Sequence, residues 1–504
     1  MSDLALGNFK LAPSEDPLRA IRNEFIIPTF RQMNATAVSA ESSTYSWPNI
    51  SVCSTLTLAI ARPPDATAAQ PTTHFPLSWI RAKKLVQEEL EVWGTRAVEG
   101  HFDHPHGRSW MYIADTVHPL FAELVGASES EVACMGTLTA NLHLMLNAFY
   151  KPTKERYKIV CEARAFPSDQ YAFATQVASR GFDPADAVLE LHPRPGEHTL
   201  RPEDILATIE REGPHIALVL LSGVQFYTGQ YFPIPEITAA ARAQGCVCGW
   251  DLAHAIGNVP LSLHAWGVDF AVWCTYKYLN SGPGGIGGLF VHERWADDLP
   301  VGQAGWWGHD PATRFDMPPR FRAIRGAQGF QQSNPSVLAT VSLLGSLQVF
   351  KEAGGMEKLR ARSERLTGYL EALLKRSRFY AEAGQAFEKG KDEVKVAVIT
   401  PSNPAERGAQ LSLVFLPTAR GVMPRVLRGL EARGVVGDSR KPDVIRLAPA
   451  PLYNTFEDVE RAVEILDEVL AEVAKEGVPP ALEKIGSVED PSLESLDKED
   501  IIEA

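Results

Sequence analysis

Cysteine is scarce. Six in 504 residues cannot form the disulfide scaffold of a small secreted module, and a reduced, cytoplasmic compartment is expected. Cys161, Cys246, Cys248 and Cys274 lie inside apolar runs and read as small buried hydrophobes. The CxC of Cys246 and Cys248 has no second pair at zinc-ligand spacing, so no metal is expected there. Long apolar runs are missing too: no stretch reaches the roughly 18–20 residues of a membrane span. The opening MSDLALGNFKLAPSEDPLRA holds no apolar signal core. Positive charge is in deficit. Lys+Arg 49 against Asp+Glu 62 gives 49 − 62 = −13, which argues against a nucleic-acid or anionic-membrane partner. Nine acids and two lysines from Glu476 to Ala504 contribute −7, leaving −13 + 7 = −6 for the rest.

What is present describes a globular enzyme-sized chain, 45% hydrophobic and 22% charged, too long for one ordinary core. Residues 1–30 read as a helical lead-in. Residues 31–79 lose all period and are irregular. From Ile80, IRAKKLVQEELEVWG is amphipathic and puts Leu85, Leu90 and Trp93 along one helical side. A large domain then spans 80–335. Its apolar runs are YKIVCEA (157–163), HIALVLLSG (215–223), CVCGWDLA (246–253), FAVWCTYKY (270–278) and GGLFVHE (287–293). Runs apolar on both faces predict an α/β fold with a mainly parallel sheet covered by helices. A smaller α+β domain follows at 336–475, joined by the N-terminal helices. One long helical pattern opens it, VKVAVIT, AQLSLVFL and DVIRLAP are its strands, and a last helix carries Val459, Val463, Leu466, Leu470 and Val473. Residues 476–504 form an acidic tail poor in aromatics, expected to be disordered.

Ligands on parallel sheets bind at the carboxyl ends of strands, so the polar residues closing each run matter most. One run closes with Asp251-Leu-Ala-His254, another with Tyr276-Lys277. A buried ammonium loses its proton more readily, as imine formation requires, and a carboxylate one strand away suits a pyridinium nitrogen. Lys277 and Asp251 are thus a minimal set for pyridoxal-phosphate (PLP) chemistry; a structural ion pair is the plain alternative. Gly136-Thr137-Leu138-Thr139-Ala140-Asn141 opens a helical run, as a phosphate cradle would. Gly282, Gly284 and Gly287 satisfy G-x-G-x-x-G, but LFVHE after them reads as a strand, against a dinucleotide site. His101, His104 and His106 cluster without a carboxylate or cysteine framework for metal. Ser222 and Asp251 lack the nucleophile elbow of a hydrolase triad.

The segments AFPSDQYA, LSGVQFYTGQ, WDLAHAIGN, CTYKYLNSGPGG, GWWGH, QSNPS and IRLAPAPLYNTF, spread over roughly 80–473, resemble the kynureninase family, PLP enzymes of fold type I. The resemblance implies that Lys277 is the catalytic, cofactor-bearing lysine and that Asp251 pairs with the pyridine nitrogen, with His254 beside it. It implies that Phe166 stacks on the ring in the segment Phe166-Pro167-Ser168-Asp169, and that Leu138, Thr139, Ser222 and Tyr276 hold the cofactor and its phosphate. Trp306 and Asn334 complete a pocket shared across a homodimer. Arg446 clamps the substrate carboxylate and His101 lies near the substrate's ring. The implied reaction is hydrolysis of L-kynurenine or 3-hydroxy-L-kynurenine to anthranilate or 3-hydroxyanthranilate plus L-alanine, in tryptophan catabolism and de novo NAD synthesis. A cysteine desulfurase or aminotransferase is the competitor within the fold, though no cysteine lies in an exposed Gly/Ser loop. One departure stands out. The family's Gly-Asn-Ser-Leu-Gly-Leu-Pro element is missing, and residues 31–79 do not match. This predicts cofactor binding with poor turnover, from a faulty gene model or a non-catalytic paralogue.

Overall fold

The computed structural model describes residues 9–23, 59–60, 78–298, 301–383 and 393–478. Expectations for 31–58, 61–77 and the acidic tail from 479 lie outside them. In chain order the strands are β1 (Ala59–Ile60), β2 (Val132–Cys134), β3 (Lys158–Glu162), β4 (Val188–Leu191), β5 (Ile216–Ser222), β6 (Val247–Asp251) and β7 (Phe270–Cys274). They continue as β8 (Gly287–Val291), β9 (Lys395–Val398), β10 (Leu411–Leu416), β11 (Val435–Val436), β12 (Asp438–Arg440) and β13 (Val444–Leu447).

Seven strands make the main sheet in the order β2-β8-β7-β6-β5-β3-β4. β4, β3, β5, β6 and β7 run parallel, and β8 is antiparallel to both its neighbours. The sheet is mainly parallel, as the continuous apolar runs required. Successive residues feed opposite faces: Val219, Leu221, Ala271 and Trp273 enter one core, while Leu218, Leu220, Phe270 and Val272 enter the other. All five long runs are strands. β2 and β4 were not foreseen, because one has three residues and the other is a four-residue, half-buried strand at the sheet edge.

Two local expectations change. The helix Ser78–Arg96 buries Ala82, Leu85, Glu89 and Val92, leaving Leu90 and Trp93 exposed. The buried stripe includes a carboxylate because Glu89 accepts from Trp110 Nε1 and Arg108 Nε and pairs with His104 Nε2, each at 2.8 Å. His104 thus serves this network. The long helical pattern after Pro335 is two helices, Val337–Glu352 and Gly355–Leu374. Gly354 and Gly355, both at positive φ, break it.

The second sheet is antiparallel, β12-β13-β10-β9. The helices Gly355–Leu374, Val422–Glu431 and Phe456–Glu476 pack on it around Leu413, Phe415, Ile445 and Leu466. Residues 9–23 dock here as well. Asp16 takes both a 2.9 Å and a 2.6 Å bond from Arg362, and Lys10 and Arg19 reach Glu460 and Glu457. Of the helical lead-in, the structure describes one short 3-10 turn, Arg19–Asn23. The helix Val337–Glu352 contributes Val341, Leu343, Leu347 and Phe350 to the core of the large sheet.

Between the two units, the loop 226–228 is gripped from the small sheet. Gln410 Nε2 donates to Phe226 O at 3.1 Å, Ser412 Oγ to Tyr227 O and Thr400 Oγ1 to Thr228 O. That loop leads into the cavity described next.

Candidate active site

A cavity of about 600 Å³ opens at the carboxyl ends of the parallel strands. Its wall comprises Leu138, Thr139, Phe166, Pro167, Ser168, Asp169, Ser222, Asp251, His254, Tyr276 and Lys277, with Val224, Phe226, Ala253, Gly284 and Arg440 besides. Topology explains the convergence. Ser222 ends β5 and Asp251 ends β6 directly beside it, and Lys277 follows the end of β7 by three residues.

Lys277 is 8% exposed, with its Nζ 5.6 Å from the centre of the Phe166 ring. Phe166 in turn meets Phe226 edge to face at 5.3 Å. Asp251 Oδ1 accepts from Ala253 N at 2.6 Å. Burial pushes the Asp251 carboxyl up, and the Lys277 charge pulls it back. Asp169 is driven well above the carboxylate range, by burial first and the Asp251 charge next. Burial, with the charges of Lys277, Arg446 and Arg440, pushes His254 far down, so its ring is neutral.

The helix Leu138–Phe149 starts at the wall, with Thr137 Oγ1 capping Ala140 N. Gly136 is required before it: φ is +55°, and a Cβ there would come within 2.5 Å of Asn141 Oδ1. Asn141 Nδ2 donates to Met135 O at 2.8 Å, fixing the turn. Leu138 and Thr139 thus bring the positive end of a helix to the cavity, a seat for a phosphate. Two buried polar atoms, Asp169 Oδ1 and His254 Nδ1, have no protein partner. A polar ring carrying a phosphate and an aldehyde fits these groups: an amine, a carboxylate where a ring nitrogen needs one, unsatisfied polar atoms and an anion cradle.

The remaining candidates lie off this wall. Arg446 is 1% exposed, bound to Asp438 and the Phe226 carbonyl, while Arg440, also paired with Asp438 at 2.9 Å, is the arginine lining the cavity. His101 Nδ1 meets Val98 O at 3.0 Å, and its ring packs on Trp110. Trp306 is 45% exposed, donating from Nε1 to Arg314 O at 3.0 Å; Asn334 Oδ1 is buried without a partner. The glycines of the G-x-G-x-x-G lead into strand β8, not a helix.

Glu162 escaped the sequence reading although it closes the run YKIVCEA, the very position that reading marks for scrutiny. Phe226 and Arg440 had no such local signal: a loop and a distant short strand bring them in. Among the described residues Glu131, His264 and His292 also gather, but the Glu131 oxygens already take Ser128 N, Glu293 N and His264 Nδ1. That carboxylate is a cap.

Solved structures share this architecture. A cysteine desulfurase from Thermococcus onnurineus matches 77% of this chain and 92% of its own with a TM-score of 0.61 at 16% identity. The cystine C–S lyase C-DES matches 80% and 95%, with a TM-score of 0.63 at 16% identity. Fold and cavity together define a PLP-dependent enzyme of fold type I. The family model of the kynureninase C-terminal domain matches residues 359–466. Kynureninase of Yarrowia lipolytica is 51% identical over 397 residues, 77% of this chain and 90% of the relative. That of Myxococcus xanthus is 53% identical over 389 residues, 77% and 86%; that of Saccharomyces cerevisiae is 45% identical over 465 residues, 90% and 96%. The chain belongs to the kynureninase family.

Proposed function

We propose that this cavity hydrolyses the Cβ–Cγ bond of L-kynurenine or 3-hydroxy-L-kynurenine, releasing L-alanine and anthranilate or 3-hydroxyanthranilate. The observation that carries the reading is the convergence of Lys277, Asp251, Asp169, His254 and a helix N-terminus on one cavity in a chain of this family. PLP, bound there, supplies an electron sink for the bond to be broken. Lys277 is its attachment point, and the same Nζ is the group placed to take and return a proton at the substrate's Cα. Asp251 would face the ring nitrogen and keep it protonated, and Asp169 would support Asp251 by donating its own proton to it. Phe166 covers the ring, the turn of Leu138 and Thr139, with Tyr276, receives the phosphate, and Ser222 is a further contact to the cofactor. His254, held neutral, adds no charge beside the ring.

The substrate carboxylate needs a cation. Arg446 and Arg440 both reach the carboxylate of Asp438 at this end of the cavity, and Arg440 lines it. We assign the clamp to Arg446, with Arg440 beside it. A homodimer is proposed on the cluster of exposed apolar side chains at Tyr112, Trp306, Phe315, Met317 and Phe321. In it Trp306, Asn334 and His101 complete the shared site, and light scattering of the purified protein reads the mass directly. We also propose the division into a large domain at 80–335 and a small one at 336–475, the helix Val337–Glu352 of the second packing into the core of the large sheet, and a cytoplasmic location, which cell fractionation tests.

The function itself is tested by anthranilate fluorescence from L-kynurenine with PLP added. Turnover supports the reading, and its absence in a folded, PLP-bound protein selects the non-catalytic alternative. Assaying a second chain with the Asn-Ser-Leu-Gly element restored isolates the contribution of residues 31–79; equal kcat/KM removes that segment from the account.

A further inference from the structure

We propose that Glu162, which stands behind the cavity wall, is a positioning residue for the cofactor: it fixes Ser222 and sets, through its charge, the protonation of the Asp169–Asp251 pair. The proposal rests on the cofactor reading above and extends it to a residue outside the cavity lining.

Three features carry the argument. Glu162 closes β3 and is 3% exposed, so its carboxyl has no access to bulk water. Its Oε1 accepts from the Ser222 hydroxyl, and its two oxygens lie 3.4 and 3.3 Å from Ser222 N. A hydroxyl whose proton is committed to Glu162 offers its lone pairs, not its proton, to whatever occupies the cavity. Finally, Glu162 is the third member of a buried carboxyl group with Asp251, which ends β6, and Asp169, in the first turn of the helix Pro167–Ser179. Ser222 on the neighbouring β5 faces it, Cys161 precedes it on its own strand, and Lys277 acts on Asp251.

Three adjacent carboxyls cannot all ionise against one ammonium. Burial pushes Glu162 up to about 7, and the Asp251 charge adds to it. A protonated pyridine nitrogen brings a new positive charge to this group and favours ionised Glu162. Binding of the cofactor then releases a proton from Glu162, and by linkage affinity grows as pH rises through 7. Glu162→Gln keeps an acceptor for Ser222 but is neutral at every pH. Glu162→Ala removes both the acceptor and the charge.

The experiment is PLP titration of the apoprotein by absorbance and tryptophan quenching between pH 6 and pH 8.5. Wild type should tighten about fivefold more than Glu162→Gln across that range, for a Glu162 carboxyl lowered by roughly one pH unit on binding. Glu162→Gln at pH 8 should resemble wild type at pH 6. Ser222→Ala, which keeps the charge, should retain the rise and move it to higher pH. Glu162→Ala should bind weakly throughout. Identical pH profiles for wild type and Glu162→Gln overturn the proposal, as does a rise missing from Ser222→Ala. Failure of wild type to bind PLP at any pH overturns the cofactor reading itself and shows before any variant is compared.

Discussion

Asp251→Asn separates charge from shape at the centre of this site. Asn retains an oxygen for the 2.6 Å bond from Ala253 N and fills the same volume at the end of β6, so the fold is expected to survive. What disappears is the negative charge facing the ring nitrogen. A hydrogen bond to a charged partner contributes about 1.5–3 kcal/mol, so PLP affinity should fall about 10- to 150-fold. The rate should fall further, because a ring nitrogen without its carboxylate is a poorer electron sink. Loss of Asp251's charge also relieves Asp169, whose carboxyl that charge pushes up, and Asp169 should ionise more readily. PLP titration by absorbance and anthranilate release measure the two effects on one preparation. Affinity within twofold of wild type together with unchanged kcat would refute the assignment of Asp251.

Other consequences are as direct. Arg446→Leu should raise KM for kynurenine at least tenfold while sparing cofactor absorbance, and unchanged KM would move the clamp to Arg440. His118 is buried, accepting from Cys134 N at 3.2 Å, and burial alone pushes it down to about 4. Its folded value lies below the unfolded one near 6.5, so the stability held by its neutral form is present above pH 6.5. That stability is lost as pH falls from 6.5 to 4, by about 3 kcal/mol in all. Thermal melts at pH 5 and pH 7 should differ less in His118→Gln than in wild type; an equal difference would place the acid sensitivity elsewhere. Exposed Trp306→Ala should shift mass in light scattering toward the monomer if the aromatic cluster is the subunit contact.

The sheet was legible in the sequence because its strands are buried on both faces: IALVLLS or FAVWC admits little else. The reactive pair was legible for a related reason, since Asp251 and Lys277 are charges placed where apolar runs end. Edge strands β2 and β4 gave no such signal, being short or half exposed. The inward face of the helix Ser78–Arg96 was misjudged because apolarity alone points to Leu90 and Trp93. The fold instead buries Glu89, whose three partners, His104, Arg108 and Trp110, follow it by fifteen to twenty-one residues. Arg440 in the cavity wall depends on how β12 docks against the other unit, which no local pattern encodes.

The central claim is that one lysine, following β7 at the mouth of the sheet, carries the cofactor. Reduction of the PLP-loaded protein with borohydride followed by peptide mass mapping reads this covalently. The account predicts a phosphopyridoxyl group on Lys277 alone, absent from Lys277→Ala. A stable label on another lysine, or none with Lys277 intact, would contradict it.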